Sequence, residues 1–348
     1  MPSQPAVSMA ARNWSLPKLT TIIVNWNAHD YLHDCLVSLR EAISQDLCRV
    51  IVVDNGSTDG SLDMIRSFRP CVDLIQLPKN LGFAGANNLG LAQSTTPFVL
   101  LLNSDTVVST GVLSAMLSTM ESNPNLQVLG CAQRDGSGSP IGGFGRFPSL
   151  ISEFLVMTGT FKWWFVRKII ELRRRRLISS ASTSIPDAKD SLETSSIPDI
   201  APVDWVNGAC MMLRRQTISS MGGLDEGYFF YSEDTDLCMR VNRAGGVVGF
   251  ASSLTITHYC GGSSRKDYLR LLKQYMVGRL RFFRKHYGRT KATALLGIYT
   301  VAGFMSVAKW IVFLAIPSRR SMALQWIRFW IGILPAANGF RQRLAANI

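Results

Sequence analysis

The sequence lacks the cysteine patterns of disulfide-rich or zinc-stabilised proteins. Its seven cysteines are an odd number, and no two of them are spaced as Cys-x-x-Cys. This argues against a disulfide framework or a structural zinc site, and it predicts a reducing compartment. The first 18 residues also lack a long apolar run, so they do not resemble a secretory signal. We therefore expect an active site that faces the cytoplasm.

Acidic residues are scarce compared with basic ones. The chain has 24 Asp and Glu against 37 Lys and Arg, which gives a formal net charge of +13. A surplus of this size suits nucleic acid, anionic lipid or phosphorylated substrates. No nucleic-acid recognition module is recognisable, and the basic segments lie outside the predicted catalytic part. We therefore expect no nucleic-acid partner and assign the positive charge to an anionic membrane surface.

Apolar residues are plentiful, and internal repeats are absent. Hydrophobic residues make up 47% of the 348 positions and charged residues 18%, which allows a large core with an appendage. Short apolar runs alternate with helical patterns in the amino-terminal part, and this predicts an α/β fold with a doubly wound, mostly parallel sheet. The predicted strands cover residues 19–27, 49–54, 73–77, 97–102 and 126–131, and the predicted helices lie near 59–68, 83–93 and 109–121.

Three polar residues stand at the ends of these predicted strands. Asn25, Asp54 and Asp105 each come at or just after the end of an apolar run. In doubly wound sheets, ligands bind at the carboxyl ends of the strands. We therefore expect the three side chains to share one crevice.

The middle of the chain has a different composition. Residues 136–146 are rich in Gly and Ser and predict a mobile loop. Residues 161–177 combine aromatic side chains with seven Lys or Arg, and residues 178–202 are rich in Ser, Thr, Pro and Ala. The composition of residues 178–202 predicts a disordered insertion. Residues 203–262 return to an α/β pattern.

The carboxy-terminal part predicts helices that associate with a membrane. Residues 266–287 form a basic amphipathic pattern, and residues 292–316 are apolar with Lys309 as their only charge. Such a stretch is long enough to cross a bilayer, which takes about 20 residues. The alternative is a buried helix pair, which Lys309 favours because a mid-span lysine is costly. The expected parts are a tail at 1–18, a catalytic domain at 19–265 and a helical, membrane-associating region at 266–348.

Five short motifs contain the candidate functional residues. A carboxylate at a strand tip can accept a hydrogen bond from a pyrimidine base, and strand-end oxygens suit a cation that also binds substrate phosphates. Three acids within four residues raise at least one pKa and can supply a general base. Each motif alone also fits a turn, a helix cap or a packed side chain. The motifs are VVDNGSTDG at 52–60, LPKNLGFAGANNLGL at 77–91, LLLNSDTVV at 100–108, GYFFYSEDTDLCMRV at 227–241 and THYCGGSS at 257–264.

In this order, the five motifs resemble the family-2 inverting glycosyltransferases. The resemblance extends over residues 19–265 and is closest to rhamnosyltransferase-like members that build bacterial cell-surface polysaccharides. It implies a GT-A fold, a UDP- or dTDP-sugar donor, a Mg²⁺ or Mn²⁺ cofactor, and a lipid-linked or glycan acceptor. It also implies a position at the cytoplasmic face of the cell membrane.

The resemblance further implies roles for individual residues. Asp234, next to Glu233, would be the catalytic base, and Asp105 and His258 would bind the metal. Asn103 stands where many members have the first Asp of an Asp-x-Asp motif. The implied donor-binding residues are Asn25, Asp54, Asn55, Asn80, Gly82, Asn87 and Asn103. The implied acceptor-side residues are Trp205, Asn207, Gly208 and Asp236.

Two other functions use similar parts. A metal-dependent nucleotidyltransferase has a comparable sheet, but it needs a glycine-rich loop with a basic residue near the amino end, and Asn25-Trp26-Asn27-Ala28 follows the first strand here. A non-catalytic nucleotide-sugar-binding protein would not need the pair Glu233 and Asp234. The sequence therefore favours a transferase over both.

Overall fold

The fold is built on one mixed sheet, seen in a computed structural model that describes residues 17–159, 199–260 and 268–332. Ten described strands form this sheet in the order β3-β2-β1-β4-β11-β6-β12-β5, with β7 beside β6 and β9 beside β12, while β8 and β10 form a separate ribbon. The strands are β1 (Leu19–Asn25), β2 (Cys48–Asp54), β3 (Val72–Gln76), β4 (Phe98–Asn103), β5 (Thr106–Val107), β6 (Leu126–Arg134), β7 (Pro140–Ile141), β8 (Phe144–Gly145), β9 (Ile200–Pro202), β10 (Trp205–Val206), β11 (Cys210–Arg214) and β12 (Val247–His258).

The amino-terminal strands pair in the predicted way. Strands β3, β2, β1 and β4 are parallel neighbours, and β12 runs parallel to β6. The apolar runs of β1, β2 and β4 are almost completely buried, because helices cover both faces of the sheet. Strand β11 lies antiparallel between β4 and β6, which the sequence does not predict. The predicted α/β fold with a mostly parallel sheet is thus confirmed.

The helices lie on both faces of the sheet. One core contains the buried faces of α1, α2 and α4, and the other contains those of α3, α6 and α7. In α1, Leu32, Leu36 and Leu39 recur at helical spacing and are fully buried. The helices are α1 (His29–Ser44), α2 (Ser61–Ser67), α3 (Gly82–Gln93), α4 (Thr110–Ser122), α5 (Leu150–Thr158), α6 (Arg215–Ser220), α7 (Glu233–Arg243) and α8 (Tyr268–Phe313).

The last residues of the predicted disordered insertion form a strand. Most of it, and the basic segment 161–177, lie outside the described residues. Its last residues, Ile200–Pro202, form β9 and pair antiparallel with β12, so the prediction is wrong for them. The reason is that Ile200 packs against the core, where Gly249 leaves room for its side chain.

The described part of the carboxy-terminal region, residues 268–332, is mostly helical, as predicted. Helix α8 breaks once, at Gly288, where φ is 85° and ψ is 174°. A further helix, α9, covers residues 320–332, and its Trp330 packs into a third core cluster with Phe282 and Leu295 of α8. Of the described helices, α8 alone is long and apolar enough to cross a membrane, by length and composition.

Large apolar side chains are exposed beyond Gly288. Phe304 is 62% exposed and Val312 is 71% exposed. Only 28% of the most apolar stretch of α8 is buried, which does not support the alternative of a buried helix pair. We call this face the C-terminal apolar surface, and its members are Val301, Phe304, Met305, Ile311, Val312, Ile316, Met322, Leu324 and Ile331.

Gly278 allows α8 to pack directly against the backbone before α7. A Cβ atom at this position would overlap the carbonyl oxygen of Tyr231. We therefore expect Gly278→Ala to lower the free energy of unfolding by about 1–3 kcal/mol, the usual cost of overpacking, as measured by urea denaturation. Gly297 is the matched control, because a Cβ there meets no atom within 4 Å. Gly297→Ala should leave stability unchanged or raise it by up to about 1 kcal/mol. Equal effects of the two changes would contradict the packing seen here.

Candidate active site

The carboxyl ends of β1, β2 and β4 meet at one edge of the sheet. Asn25 is paired in register with Asp54, and Asn103 lies opposite Val24. Asn25 donates a hydrogen bond from Nδ2 to Asp54 Oδ1 over 3.1 Å, and the backbone N–H of Ser57 donates to Asp54 Oδ2 over 3.0 Å. Asn25 and Asp54 are both fully buried. Asp54 therefore fixes the turn 55–57 in the described structure, and its contact with a base stays a prediction.

Hydrogen bonds of amide side chains join the turn after β2 to the loop at residues 80–82. Asn55 donates from Nδ2 to Asn80 Oδ1 and to the Gly82 carbonyl, each over 3.1 Å, and accepts from the Leu81 N–H over 2.8 Å. Gly82 has a φ of 80°, and a Cβ atom there would overlap the Phe229 carbonyl oxygen. The glycine thus lets this loop approach the segment that leads to α7.

Asn87 is more deeply buried than we expect of a residue that binds the sugar donor. It is buried on α3 and donates from Nδ2 to the Phe83 carbonyl of the same helix over 2.9 Å. In this arrangement it stabilises the helix behind the loop, and its contact with the donor remains untested.

Asp105 and His258 come together from distant parts of the chain. His258 ends β12, which pairs with β5 just after Asp105. The Nε2 atom of His258 lies 3.2 Å from Asp105 Oδ1 and 3.4 Å from Asn103 Nδ2. The predicted metal-binding residues therefore share one place at the end of β4.

Gln133 is a site residue that the sequence analysis missed. Its Oε1 lies 3.0 Å from His258 Nδ1, and its Nε2 donates to Asn207 Oδ1 over 2.6 Å. The predicted strand ended at residue 131, whereas β6 continues to Arg134. A longer strand would have placed Gln133 at the edge of the sheet with the other polar residues. Its contact fixes which nitrogen of His258 faces Asp105.

The acid pair begins α7. Tyr231 and Ser232 hold left-handed backbone conformations, with φ of 71° and 77°, and turn the chain into the helix. Asp234 Oδ2 accepts from the Gly208 N–H over 3.2 Å, and Asp234 Oδ1 accepts from the Thr235 N–H over 2.6 Å. The side chain of Asp234 is therefore held in one orientation.

Burial changes the acidity of this pair. It raises the pKa of Asp234 above the ordinary carboxylate range, while backbone hydrogen bonds work in the opposite direction. Burial raises the pKa of Glu233 further, and the neighbouring charge of Asp234 adds to that rise. A carboxylate with a raised pKa is a stronger base, which is the property that proton abstraction needs.

The segment 205–208 links the metal side to the acid pair. Asn207 bonds to Gln133, which contacts His258, and the N–H of Gly208 bonds to Asp234. Trp205 is held in the β8–β10 ribbon, where its Nε1 donates to the Arg146 carbonyl over 2.8 Å. Hydrogen bonds and the backbone between Asn207 and Gly208 thus connect His258 to Asp234.

Asp236 lies in a cluster of ion pairs between α7 and α8, and its acceptor-side role stays a prediction. It is fully buried, and its carboxylate lies 2.9 Å from Arg240 Nε and 2.7 Å from both Lys285 Nζ and His286 Nε2. Burial alone would raise the pKa of Asp236, but the hydrogen bonds from His286 and Lys285 hold it well below its usual range. These contacts tie α7 to α8.

The chain is similar in sequence to known glycosyltransferases. The sequence model of "Glycosyl transferase family 2" matches residues 20–178, and that of "Glycosyl transferase family group 2" matches residues 173–341. The N-acetylglucosaminyl-diphospho-decaprenol L-rhamnosyltransferase of Mycobacterium tuberculosis is 28% identical over 72% of this chain and 78% of its own. Rhamnosyltransferase WbbL of Escherichia coli is 23% identical over 75% of this chain and 90% of its own.

Solved structures share the fold. The mannosyltransferase PcManGT from Pyrobaculum calidifontis, in complex with GDP-Man and Mn²⁺, matches 94% of this chain and 90% of its own with a TM-score of 0.53 and 14% identity. GalNAc-T7 with UDP, GalNAc and Mn²⁺ matches 78% of this chain and 48% of its own with a TM-score of 0.50 and 13% identity. The chain therefore belongs to glycosyl transferase family 2: it is a glycosyltransferase with a GT-A fold, and it is similar to the rhamnosyltransferases of that family.

Proposed function

We propose that this glycosyltransferase moves a hexose, rhamnose or a similar sugar, from a UDP- or dTDP-sugar to a hydroxyl group of a lipid-linked or glycan acceptor, with inversion at the anomeric carbon. The product would enter a cell-surface glycan. The observation that carries the proposal is the set of hydrogen bonds that joins the candidate metal-binding residues to the oriented base, Asp234.

The residues at the end of β4 fit a divalent cation. Asp105 Oδ1 and His258 Nε2 are 3.2 Å apart, close enough to reach one ion. No group of three or more His, Cys, Asp or Glu side chains that could hold a metal occurs among the described residues. Two protein ligands would leave the remaining positions to the donor phosphates, as is usual for Mg²⁺. The carboxylate of Asp105 suits Mg²⁺ or Mn²⁺, and a neutral imidazole such as that of His258 is a common ligand of metal ions. When bound, the cation would neutralise charge on the leaving nucleotide diphosphate.

Asp234 supplies the base for the transfer. Its oxygens are held by Gly208 and Thr235, and burial raises its pKa. Asp234 takes the proton of the acceptor hydroxyl while that oxygen bonds to the anomeric carbon and the bond from this carbon to the diphosphate breaks. A direct displacement of this kind inverts the anomeric configuration and needs no covalent intermediate.

The comparisons support a nucleotide-sugar donor and a lipid-linked acceptor. The mycobacterial relative is named for an acceptor that consists of a sugar on a polyprenyl diphosphate and for a rhamnose that it transfers. PcManGT was solved with GDP-Man and Mn²⁺, and GalNAc-T7 with UDP and Mn²⁺. No contact in the described residues favours a nucleotidyltransferase or a non-catalytic sugar-nucleotide binder.

Donor recognition tests the proposal directly. The purified full-length chain would be assayed for binding and hydrolysis of UDP-, dTDP- and GDP-sugars with Mn²⁺, with Mg²⁺ and with a chelator. We expect one donor to be recognised only when the metal is present. A folded protein that binds no donor under any of these conditions would overturn the proposal.

We place the enzyme at the cytoplasmic face of the cell membrane. The C-terminal apolar surface follows a basic half of α8, and this combination binds anionic lipid surfaces. A lipid-linked acceptor would be held at the same surface.

Membrane binding is expected to depend on the exposed apolar side chains. Burial of one large apolar side chain contributes about 1.5–3 kcal/mol, so Phe304→Gln with Val312→Gln should lower the partition coefficient about 10-fold or more. The measurement is flotation of the full-length protein with phosphatidylglycerol vesicles. Val247→Gln serves as the control, because Val247 is an exposed apolar residue of the sheet. A wild-type protein that does not float would refute this placement.

A further inference from the structure

A buried ionic cluster lies behind the acid pair. Glu153 is buried on α5, and its carboxylate accepts hydrogen bonds from the hydroxyls of Tyr275 and Tyr299 over 3.0 and 3.1 Å. The Nε atom of Arg279 lies 3.2 Å from Glu153 Oε1, and its guanidinium lies over the Tyr275 ring at 5.0 Å from the centroid. We call these four residues the Arg279 cluster.

The Arg279 cluster packs against the turn that leads into α7. Gly278, next to Arg279, lies against the Tyr231 carbonyl, and the rings of Tyr231 and Tyr275 are 6.2 Å apart. The Arg279 side chain is 12% exposed. Among the described residues, Nη1 of Arg279 and Oε2 of Glu233 are buried without a hydrogen-bond partner. Two groups of opposite charge are thus buried in this region with capacity for further polar contacts.

We propose that Arg279 is a positioning residue that keeps Asp234 in its charged, proton-accepting form, and that Glu153 with the two tyrosines holds Arg279 in place for this task. The proposal rests on the proposed function, in which Asp234 is the base. A buried carboxylate loses its hydration, and a nearby fixed cation replaces part of that stabilisation. Glu153 keeps the buried guanidinium itself compensated, so the arginine charge is tolerated in this interior position.

The electrostatics of the acid pair agree with this assignment. Burial raises the pKa of both Glu233 and Asp234, and the charge of Arg279 lowers both. Asp236 is a further anion near Glu233, and it raises the pKa of Glu233. Tyr231 and Cys238 are further titratable groups that interact with the pair, and Cys260 and Tyr268 act on Tyr231. Arg279 is thus a cation that acts on both carboxyl groups.

The first test is a titration that needs no turnover. The full-length protein, labelled with ¹³C at the Asp and Glu carboxyl groups, would be followed by NMR across pH, with signals assigned through Asp234→Asn and Glu233→Gln. We expect Arg279→Met to raise the pKa of the acid pair by about one unit or more, and Arg279→Lys to restore most of the difference. The control is Arg281→Met, because Arg281 is a half-exposed arginine on the same helix that pairs with Asp225 over 2.8 Å. An unchanged titration in a folded Arg279→Met protein would overturn the proposal.

A second variant covers the case in which Arg279→Met does not fold. Glu153→Gln combined with Arg279→Met removes both ions from the cluster and leaves neither charge unpaired. We expect the same rise in the pKa of the acid pair, and no rise would again overturn the proposal.

Transfer kinetics then separate the two proposals. The base must be unprotonated, so a higher pKa moves the acid limb of kcat/KM to higher pH, whereas a purely structural arginine would lower kcat/KM equally at all pH values. This assay uses the UDP- or dTDP-sugar that the wild type accepts. A wild type that uses no donor contradicts the proposed function but leaves the NMR titration valid as the test of Arg279.

Discussion

Asp234→Asn is expected to lower the rate of sugar transfer by about 10²–10⁴-fold, the usual contribution of a general base. The amide cannot accept the acceptor proton at neutral pH. Its one oxygen replaces only one of the two acceptor oxygens of Asp234, so it can keep the hydrogen bond from Thr235 or the one from Gly208 and leaves the side chain tied to the backbone at one point. The measurement is the initial rate of transfer at saturating donor and acceptor, together with the donor Kd from calorimetry.

The donor Kd shows whether Asp234→Asn loses activity because the catalytic base is missing or because the protein is no longer folded. The donor Kd of Asp234→Asn should stay within about twofold of the wild type, since the base acts on the acceptor. Asp63→Asn is the control, because Asp63 is an exposed carboxylate whose side chain is 86% exposed. It should retain wild-type activity. Turnover near the wild-type rate in Asp234→Asn would show that another group, with Glu233 as the first candidate, accepts the proton.

Asp105→Ala is expected to abolish metal-dependent binding of the donor. The change removes the carboxylate from a site in which the described residues supply only Asp105 and His258 as candidate ligands of this kind. Loss of a residue that only holds a metal ligand in place already costs about 10–100-fold in metal affinity, so we expect a loss of about 100-fold or more for a ligand itself. The measurement is a Mn²⁺ titration of donor binding.

Two further variants test the same assignment: His258→Ala changes the other candidate metal ligand, and Asp63→Ala is a surface control. The first should weaken Mn²⁺-dependent binding in the same direction, because Nε2 of His258 faces Asp105. The second should have no effect, since Asp63 lies at the surface. Donor binding by Asp105→Ala that still responds to Mn²⁺ as in the wild type would move the metal site elsewhere.

Local sequence patterns predicted the parts of the site that stand at strand ends. Asn25, Asp54 and Asn103 each end an apolar run, and parallel strands bring such ends together. Asp105 and His258 could be joined only through the family resemblance, because they are 153 positions apart and meet where β5 pairs with β12. The order of the five short motifs along the chain indicated that these two residues belong to one site, whereas the spacing of apolar residues did not.

Contacts that depend on packing could not be read from the sequence. Gln133 and Arg279 have no motif, and their roles depend on partners from other elements, His258 for one and Glu153 for the other. The ion pairs of Asp236 are of the same kind. It stands two residues after Asp234, which is roughly half a turn of helix, and its carboxylate faces the cations of α8. Residues that are two positions apart on a helix lie on different faces of that helix.

The break at Gly288 lies at a defined distance along α8 from the helix contact beside the acid pair. Gly278, which contacts the turn before Asp234, lies ten positions before this break, and a helix rises about 1.5 Å per residue, so the contact is about 15 Å along the axis from the start of the apolar half. With the C-terminal apolar surface in the membrane, as we propose, the catalytic pair is held at a set height above the lipid. Only an acceptor whose reactive hydroxyl stood at that height would then reach Asp234. The enzyme would then select its acceptor by the length between lipid and hydroxyl, in the manner of a ruler, in addition to any recognition of the acceptor sugar itself.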